Sequence, residues 1–204
     1  MTIPHALAAA LSQMPALAEL FRLFLSGKHL NRMAEPALWA ELEQHEASYV
    51  GLFAALGFEL RLDARGFAWF HNSEANSNIG KTSRQLALLF MVIFDAQANA
   101  GKALQRFTDW LIDSAWLAEV YKQQQDLLDA EGLNPDALVE LLGRACNLGF
   151  AMAEPAGWRL LPAICRYLDH FESLALTAKT DGDEPSVPTE DDWAADAPDD
   201  EENT

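Results

Sequence analysis

A β-hairpin is predicted by the stretch from Gly57 to Asn72, which reads Gly-Phe-Glu-Leu-Arg-Leu-Asp-Ala-Arg-Gly-Phe-Ala-Trp-Phe-His-Asn. Its first half alternates Phe58, Leu60 and Leu62 with charged residues, the pattern of a strand with one buried face. Gly66 can take a positive φ and make the turn, and aromatic residues fill the return strand. Because a lone hairpin is only marginally stable, we expect it to pack on the helices that precede it.

Helical patterns precede this hairpin and are interrupted by one short extended segment. We predict a short edge strand at residues 28–31 and helices at residues 4–13, 15–26, 35–44 and 46–56. Pro36 lies in the first turn of the third helix, and Gly57 ends the fourth. The order helix, short strand, helix, helix, hairpin is the layout of a winged-helix domain, which we place at residues 1–78.

The second half of the chain repeats this plan in a looser form. We predict helices from Thr82 or Ser83 to about Ala98, at 102–112 and 114–122, from Asn134-Pro135 onward and at 162–176, with a second hairpin formed by 149–153 and 158–161. Each hairpin follows a Leu-Gly-Phe sequence, at 56–58 and 148–150. The fold class is therefore mainly α with short β-hairpins, arranged as tandem winged-helix domains. The second domain spans residues 79–179.

A long apolar helix opens the second domain. Residues 85–94 are apolar nearly all round, so this helix must be buried on most sides, either between two domains or at an oligomer interface. For the second alternative we assign Leu89, Phe90, Ile93 and Phe94 to a partner or dimer interface.

The formal net charge of −17 is unevenly distributed. Residues 181–204 hold eleven acidic side chains and no basic one, which leaves 20 acidic and 14 basic side chains in the rest of the chain. We predict that residues 180–204 form a disordered acidic tail. It can serve as a solubility device, a DNA mimic that covers a basic patch, or a docking peptide.

The motifs predict no enzyme and no cofactor. Asn78-Ile79-Gly80-Lys81-Thr82-Ser83 resembles the end of a phosphate-binding loop, but Ala75 stands where that motif needs a glycine. The histidines show no metal-ligand spacing, and no serine-histidine-aspartate order supports a catalytic triad. No apolar run reaches the roughly 18 residues of a membrane span, and the first ten residues lack a basic region. We therefore expect a cytoplasmic protein.

Basic side chains near the edge strand and the hairpin are candidates for DNA-backbone contact. They are Lys28, Arg32, Arg61 and Arg65, and Lys81 and Arg84 can meet a phosphate at the start of the long helix. An ordinary charged surface is the alternative for this set. The presumed recognition helix, residues 46–56, carries no Lys, Arg, Asn or Gln, the side chains that normally read bases. This composition argues against the alternative of a winged-helix transcriptional regulator.

Three segments together resemble a known family. Leu25-Ser-Gly-Lys-His-Leu30, the helix containing Tyr49 and Phe53, and Gly66-Phe-Ala-Trp-Phe70 are similar to the opening domain of MukE-type condensin subunits. The compact length with a short acidic tail resembles the MksE branch. The likeness spans about residues 15–175. Ala68 departs from the doubled aromatic of the family pattern, which weakens any surface role for that side chain.

This resemblance implies an accessory subunit without catalytic activity. Such subunits form homodimers and bind the kleisin subunit (MksF/MukF-like), which joins the heads of an SMC ATPase. DNA contact would be independent of sequence, in chromosome organisation or in defence against plasmids, and the protein would be associated with the nucleoid. By resemblance, Lys28 and His29 match the family's basic-histidine pair, which adds His29 to the candidates for DNA contact.

Overall fold

The computed structural model describes residues 12, 14–71 and 80–180, with side chains described as far as Leu176. The chain divides into two compact units, Met1–Asn72 and Ser73–Thr204. The predictions for residues 1–11 and for the tail beyond residue 180 lie outside the described residues. The structure confirms a mainly α fold with short β-hairpins.

The first unit has the element order that the sequence predicts. Its elements are α1 (Leu17–Leu25), β1 (Leu30–Asn31), α2 (Pro36–Gln44), α3 (Glu46–Ala55), β2 (Glu59–Asp63) and β3 (Phe67–His71). The three strands form one antiparallel sheet in the order β1-β3-β2. The hairpin therefore supplies two strands, and the short segment after α1 adds the third.

Aromatic rings fill the core of the first unit. Phe53 is fully buried on α3, and its ring lies 5.0 Å from that of Phe70 on β3 and 5.9 Å from that of Phe21 on α1. Tyr49, also fully buried, donates its hydroxyl to Glu41 on α2 at 3.0 Å. Burial raises the pKa of the Tyr49 phenol well above its usual range, and the bond to Glu41 adds to this. The core thus joins the helices to the hairpin, as a marginal hairpin requires.

The second unit has the same strand order with additional helices. Its elements are α4 (Lys81–Asn99), a 3₁₀ turn (Leu104–Asp109), β4 (Leu111–Ile112), α5 (Ser114–Gln123), α6 (Gln125–Ala130), α7 (Pro135–Asn147), β5 (Ala151–Glu154), β6 (Gly157–Leu160), a second 3₁₀ turn (Pro162–Ile164) and α8 (Cys165–Thr180). The antiparallel sheet has the order β4-β6-β5, which matches the order in the first unit.

One predicted helix of the second unit is wrong. Residues 102–112 form a 3₁₀ turn and then the short strand β4. Leu111 pairs with Arg159 and Ile112 with Trp158, so the sheet determines this strand through partners that lie far along the chain. The segment therefore takes the place that β1 has in the first unit.

The helices before the two hairpins end in the same way. Gly57 has φ 88° and Gly149 has φ 78°, and each N–H donates to the carbonyl three residues earlier, at 3.0 and 3.1 Å. The N–H of the following phenylalanine, Phe58 or Phe150, donates to the carbonyl five residues earlier, at 2.9 and 2.8 Å. This is the Schellman motif, whose left-handed position favours glycine. The Leu-Gly-Phe repeat in the sequence therefore corresponds to one helix-ending structure used twice.

Candidate nucleic-acid and partner surfaces

The four cations assigned to DNA contact around the first hairpin each lie beside a carboxylate of the same unit. The ion pairs are Lys28–Glu35 at 2.6 Å, Arg32–Glu43 at 2.8 Å, Arg61–Glu59 at 2.8 Å and Arg65–Asp63 at 2.7 Å. These charges cancel in pairs, so this surface carries both signs and gives no excess positive potential to attract DNA.

Arg65, in the turn of the first hairpin, is held by several hydrogen bonds to Asp63. The Arg65 guanidinium donates to both carboxylate oxygens of Asp63, at 2.8 and 2.7 Å, and the Arg65 backbone N–H donates to the same carboxylate at 2.8 Å. These bonds lower the pKa of Asp63, because they stabilise its charged carboxylate. The guanidinium carbon also lies 5.6 Å from the centre of the Phe67 ring. Arg65 therefore supports the turn.

His29, assigned to DNA contact by resemblance, has no exposed surface. Its ring stacks at 6.2 Å from that of Trp69 on β3, and the neighbouring Leu30 is buried too. A fully buried imidazole cannot reach a phosphate from this position. The structure thus places His29 in the packing of the sheet and not on the surface.

A second group of cations surrounds the start of α4. Lys81 and Arg84 are exposed in its first turns, and Arg144 on α7 donates to the hydroxyl of Thr82 at 3.4 Å. Arg84 pairs with Glu131 at 3.2 Å. Within the described residues Lys81 and Arg144 form no ion pair. These cations lie beside the positive end of the α4 helix dipole, and both features favour an anion there.

Arg144 was not among the residues selected from the sequence. It lies 62 residues after Thr82, and the acidic Asp136 and Glu140 lie on the same helix. Only the packing of α7 beside α4 brings its guanidinium to the start of the long helix. One feature of the sequence could have identified Arg144. It lies on the helix before the second hairpin, which corresponds to α3 of the first unit.

The four side chains assigned to an interface lie in the core of the second unit. Leu89, Phe90, Ile93 and Phe94 are at most 9% exposed. The Phe90 ring lies 5.2 Å from that of Tyr167, and the Phe94 ring lies 5.0 Å from that of Trp110. These contacts hold α4 within its own unit, so the four side chains are not available to a partner in this structure.

The opposite side of α4 is exposed to solvent, and α6 runs along it. Met91 is 46% exposed, Leu88 is half-buried, and Leu127 on α6 is 42% exposed. Three bonds attach α6 alongside α4. At one end Arg84 pairs with Glu131, whose backbone carbonyl also accepts from Gln85 at 3.0 Å, and at the other end Gln124 donates to Asp95 at 3.4 Å. An apolar centre is therefore bordered by polar groups, the usual arrangement of a protein interface.

The first unit contains an apolar cleft between α1 and the end of α3. Its volume is about 520 Å³. The lining residues are Ser12, Met14, Pro15, Leu17, Ala18, Phe21, Leu52, Phe53 and Leu56. Leu56 is 56% exposed at its edge. With no charged group in its lining, the cleft suits an apolar segment of another polypeptide.

The helix expected to read bases has no suitable side chains on its exposed face. The exposed residues of α3 are Glu46, Ala47, Ser48, Gly51, Ala54 and Ala55. None of them is an Arg, Lys, Asn or Gln, so this face lacks the bidentate partners that direct readout uses.

In the part of the chain that the structure describes, no three His, Cys, Asp or Glu side chains come together as a metal site would need. No described helix is both long enough and apolar enough to cross a bilayer.

Two units with the same strand order, apolar exposed surfaces and paired surface charges define a helical protein suited to contacts with other macromolecules. The chain belongs to the MksE family: the family model described as condensin complex protein MksE matches residues 15–172, which is more than half of the chain. The match includes both units, and it supports a role as a subunit of a condensin complex. No curated protein matches this chain.

Proposed function

We propose that this protein is a non-catalytic accessory subunit of a bacterial SMC-like condensin complex, which dimerises, binds the kleisin subunit and contacts DNA without reading its sequence. The observation that carries this proposal is the family match over residues 15–172. The complex would act in the cytoplasm at the nucleoid, in chromosome organisation or in defence against plasmids. The ATPase activity would belong to the SMC partner.

The apolar cleft of the first unit is the proposed docking place for the kleisin. Its lining is uncharged, and Phe21 and Leu52 remain half-exposed inside it. Burial of such a surface by a partner stabilises a complex by about 25 cal/mol for each Å² of apolar area removed from water. The charges near the hairpin are paired and do not favour DNA, whereas the cleft is apolar. The cleft therefore supports a polypeptide partner for the first unit.

Co-purification with a kleisin subunit, to be sought among the neighbouring reading frames, tests this proposal. The full chain should form a stable complex, and Leu56→Glu should weaken it at least tenfold because a carboxylate at the edge of the cleft would lose water on binding. Leu25→Glu is the matched control, since Leu25 is 51% exposed and lies outside the cleft lining. Failure of the unmodified protein to bind the kleisin would refute the proposed function, whereas equal effects of the two variants would refute only the docking place.

DNA contact is proposed at the start of α4 and not at the first hairpin. Lys81 and Arg144 come from two helices of the second unit and form no ion pair within the described residues, whereas the neighbouring Arg84 is paired with Glu131. A phosphate there meets cations and the positive helix end, whereas at the hairpin it meets a carboxylate beside each cation.

The double substitution Lys81→Gln and Arg144→Gln should weaken DNA binding equally for unrelated sequences. Removal of two phosphate contacts should reduce the slope of log affinity against log salt concentration by about two. The measurement is fluorescence anisotropy with labelled duplexes over a salt series. The control variant, Arg61→Gln with Arg65→Gln, should leave the slope unchanged. If the control variant reduces the slope more than the double substitution does, the DNA contact is at the hairpin.

A further inference from the structure

We propose that the exposed side of α4 joins two copies of this chain as an antiparallel helix pair, with a two-fold axis that passes near Leu88 and Met91. This inference rests on the proposed dimer and specifies its surface. The second unit alone carries it.

The spacing of the exposed residues on α4 is that of a helix seam. Lys81, Arg84, Leu88, Met91, Asp95 and Ala98 are exposed or half-exposed and follow one another at alternating intervals of three and four residues. We call this row the α4 stripe. A three-four interval keeps side chains on one side of a helix and is the repeat by which helices pair. The buried residues on the other side, such as Phe90 and Ile93, fix the rotation of α4 so that the stripe faces outward.

The α4 stripe is complementary to itself when it is reversed. Leu88 and Met91 lie at equal distances in sequence from the midpoint between residues 89 and 90, and so do Arg84 and Asp95. In an antiparallel pair about that midpoint, Leu88 of one copy faces Met91 of the other. Arg84 faces the partner copy's Asp95 twice, once on each side of the axis. A two-fold interface requires this self-complementarity.

Both charged residues keep hydrogen-bonding capacity for such a contact. Arg84 uses Nε for its bond to Glu131, and the guanidinium has further N–H donors. Asp95 accepts from Asn99 at 3.2 Å and from Gln124 at 3.4 Å, and both bonds go to Oδ2. The existing bonds therefore position the two charges without using all of their donors and acceptors.

Residues on α6 widen the surface beyond a single helix. Leu127 lies between the two bonded ends of α6, at Gln124 and Glu131, and is 42% exposed. Each copy thus contributes three large apolar side chains inside a polar border. A polyanion matches only the basic end of the α4 stripe, because the other end carries the carboxylate of Asp95. A second copy matches both charges at once.

Sedimentation equilibrium of the full chain tests this surface with charge reversals. Arg84→Glu and Asp95→Arg should each raise the dimer dissociation constant by tenfold or more, because each places like charges opposite one another on both sides of the axis. An equimolar mixture of the two single variants should form a heterodimer, since the glutamate introduced in one chain then faces the arginine introduced in the other. The chain that carries both substitutions should recover the homodimer.

Arg106→Glu provides the matched control. Arg106 is 77% exposed in a surface ion pair with Asp109 outside the α4 stripe, so the same charge reversal there should leave the dimer intact. Circular dichroism should show that every variant is folded. If the single variants dimerise normally or fail to form a heterodimer with each other, the α4 stripe is not the dimer interface. The proposal that the chain dimerises is then unaffected. If the unmodified chain is a monomer at tens of micromolar, the dimer itself is wrong, and kleisin co-purification then tests the rest of the proposed function.

Discussion

Phe90→Ala is expected to lower the free energy of unfolding of the second unit by about 3–5 kcal/mol, the usual cost of truncating a buried phenylalanine. The Phe90 side chain has no exposed surface, and its ring packs against those of Phe150 and Tyr167 at 5.8 and 5.2 Å. The loss should appear in chemical denaturation followed by circular dichroism.

The adjacent Met91 provides the control for this substitution. Because Met91 is 46% exposed, Met91→Ala should change the free energy of unfolding by less than about 1 kcal/mol while it weakens the dimer. The two variants thus separate the buried and exposed sides of α4. A Phe90→Ala protein with normal stability and a weakened dimer would restore the sequence-based assignment of Phe90 to the interface.

Gly157→Ala should destabilise the second unit by roughly 3 kcal/mol or more, since it combines backbone strain with a steric clash. Gly157 has φ 152°, and a Cβ there would overlap with the carbonyl oxygen of Ile112. Either β4 must move away from β6 or the hairpin must deform, and both changes disrupt the sheet. Thermal and chemical denaturation would measure the loss.

Gly143→Ala is a control within the same unit. Gly143 lies inside α7, and a Cβ there would meet nothing within 4 Å. Alanine favours the helix by about 1 kcal/mol over glycine, so this variant should be more stable than the original protein. A Gly157→Ala protein as stable as Gly143→Ala would show that the contact between β4 and β6 adjusts freely.

The parts of the fold that the sequence predicted correctly depend on local chemistry. Asn134 accepts the N–H of Ala137 at 2.9 Å and caps α7, as its position before Pro135 predicts. The alternation of residues around Gly66 similarly located the first hairpin, because a strand with one buried face shows that alternation directly. These features need only a few neighbouring residues.

The remaining features depend on contacts between distant segments. The apolar residues of α4 surround the whole helix, so periodicity could not distinguish its core side from its exposed side. The bond of Arg84 to Glu131 spans 47 residues, and that of Arg32 to Glu43 spans 11. The carboxylates beside Arg84 and Arg32 therefore could not be paired from the sequence, whereas Glu59 and Asp63 lie only two residues from Arg61 and Arg65. The strand at 111–112 was missed for the same reason, since its partners on β6 lie far along the chain.

The ion pairs at the first hairpin make that surface selective among ligands. A phosphate that approaches Arg65 or Arg32 meets the carboxylate of Asp63 or Glu43 beside the guanidinium, and that carboxylate repels it. A neutral polypeptide segment encounters no such repulsion. The first unit can thus remain open to protein ligands in a cell crowded with nucleic acid, even though its hairpin carries two arginines.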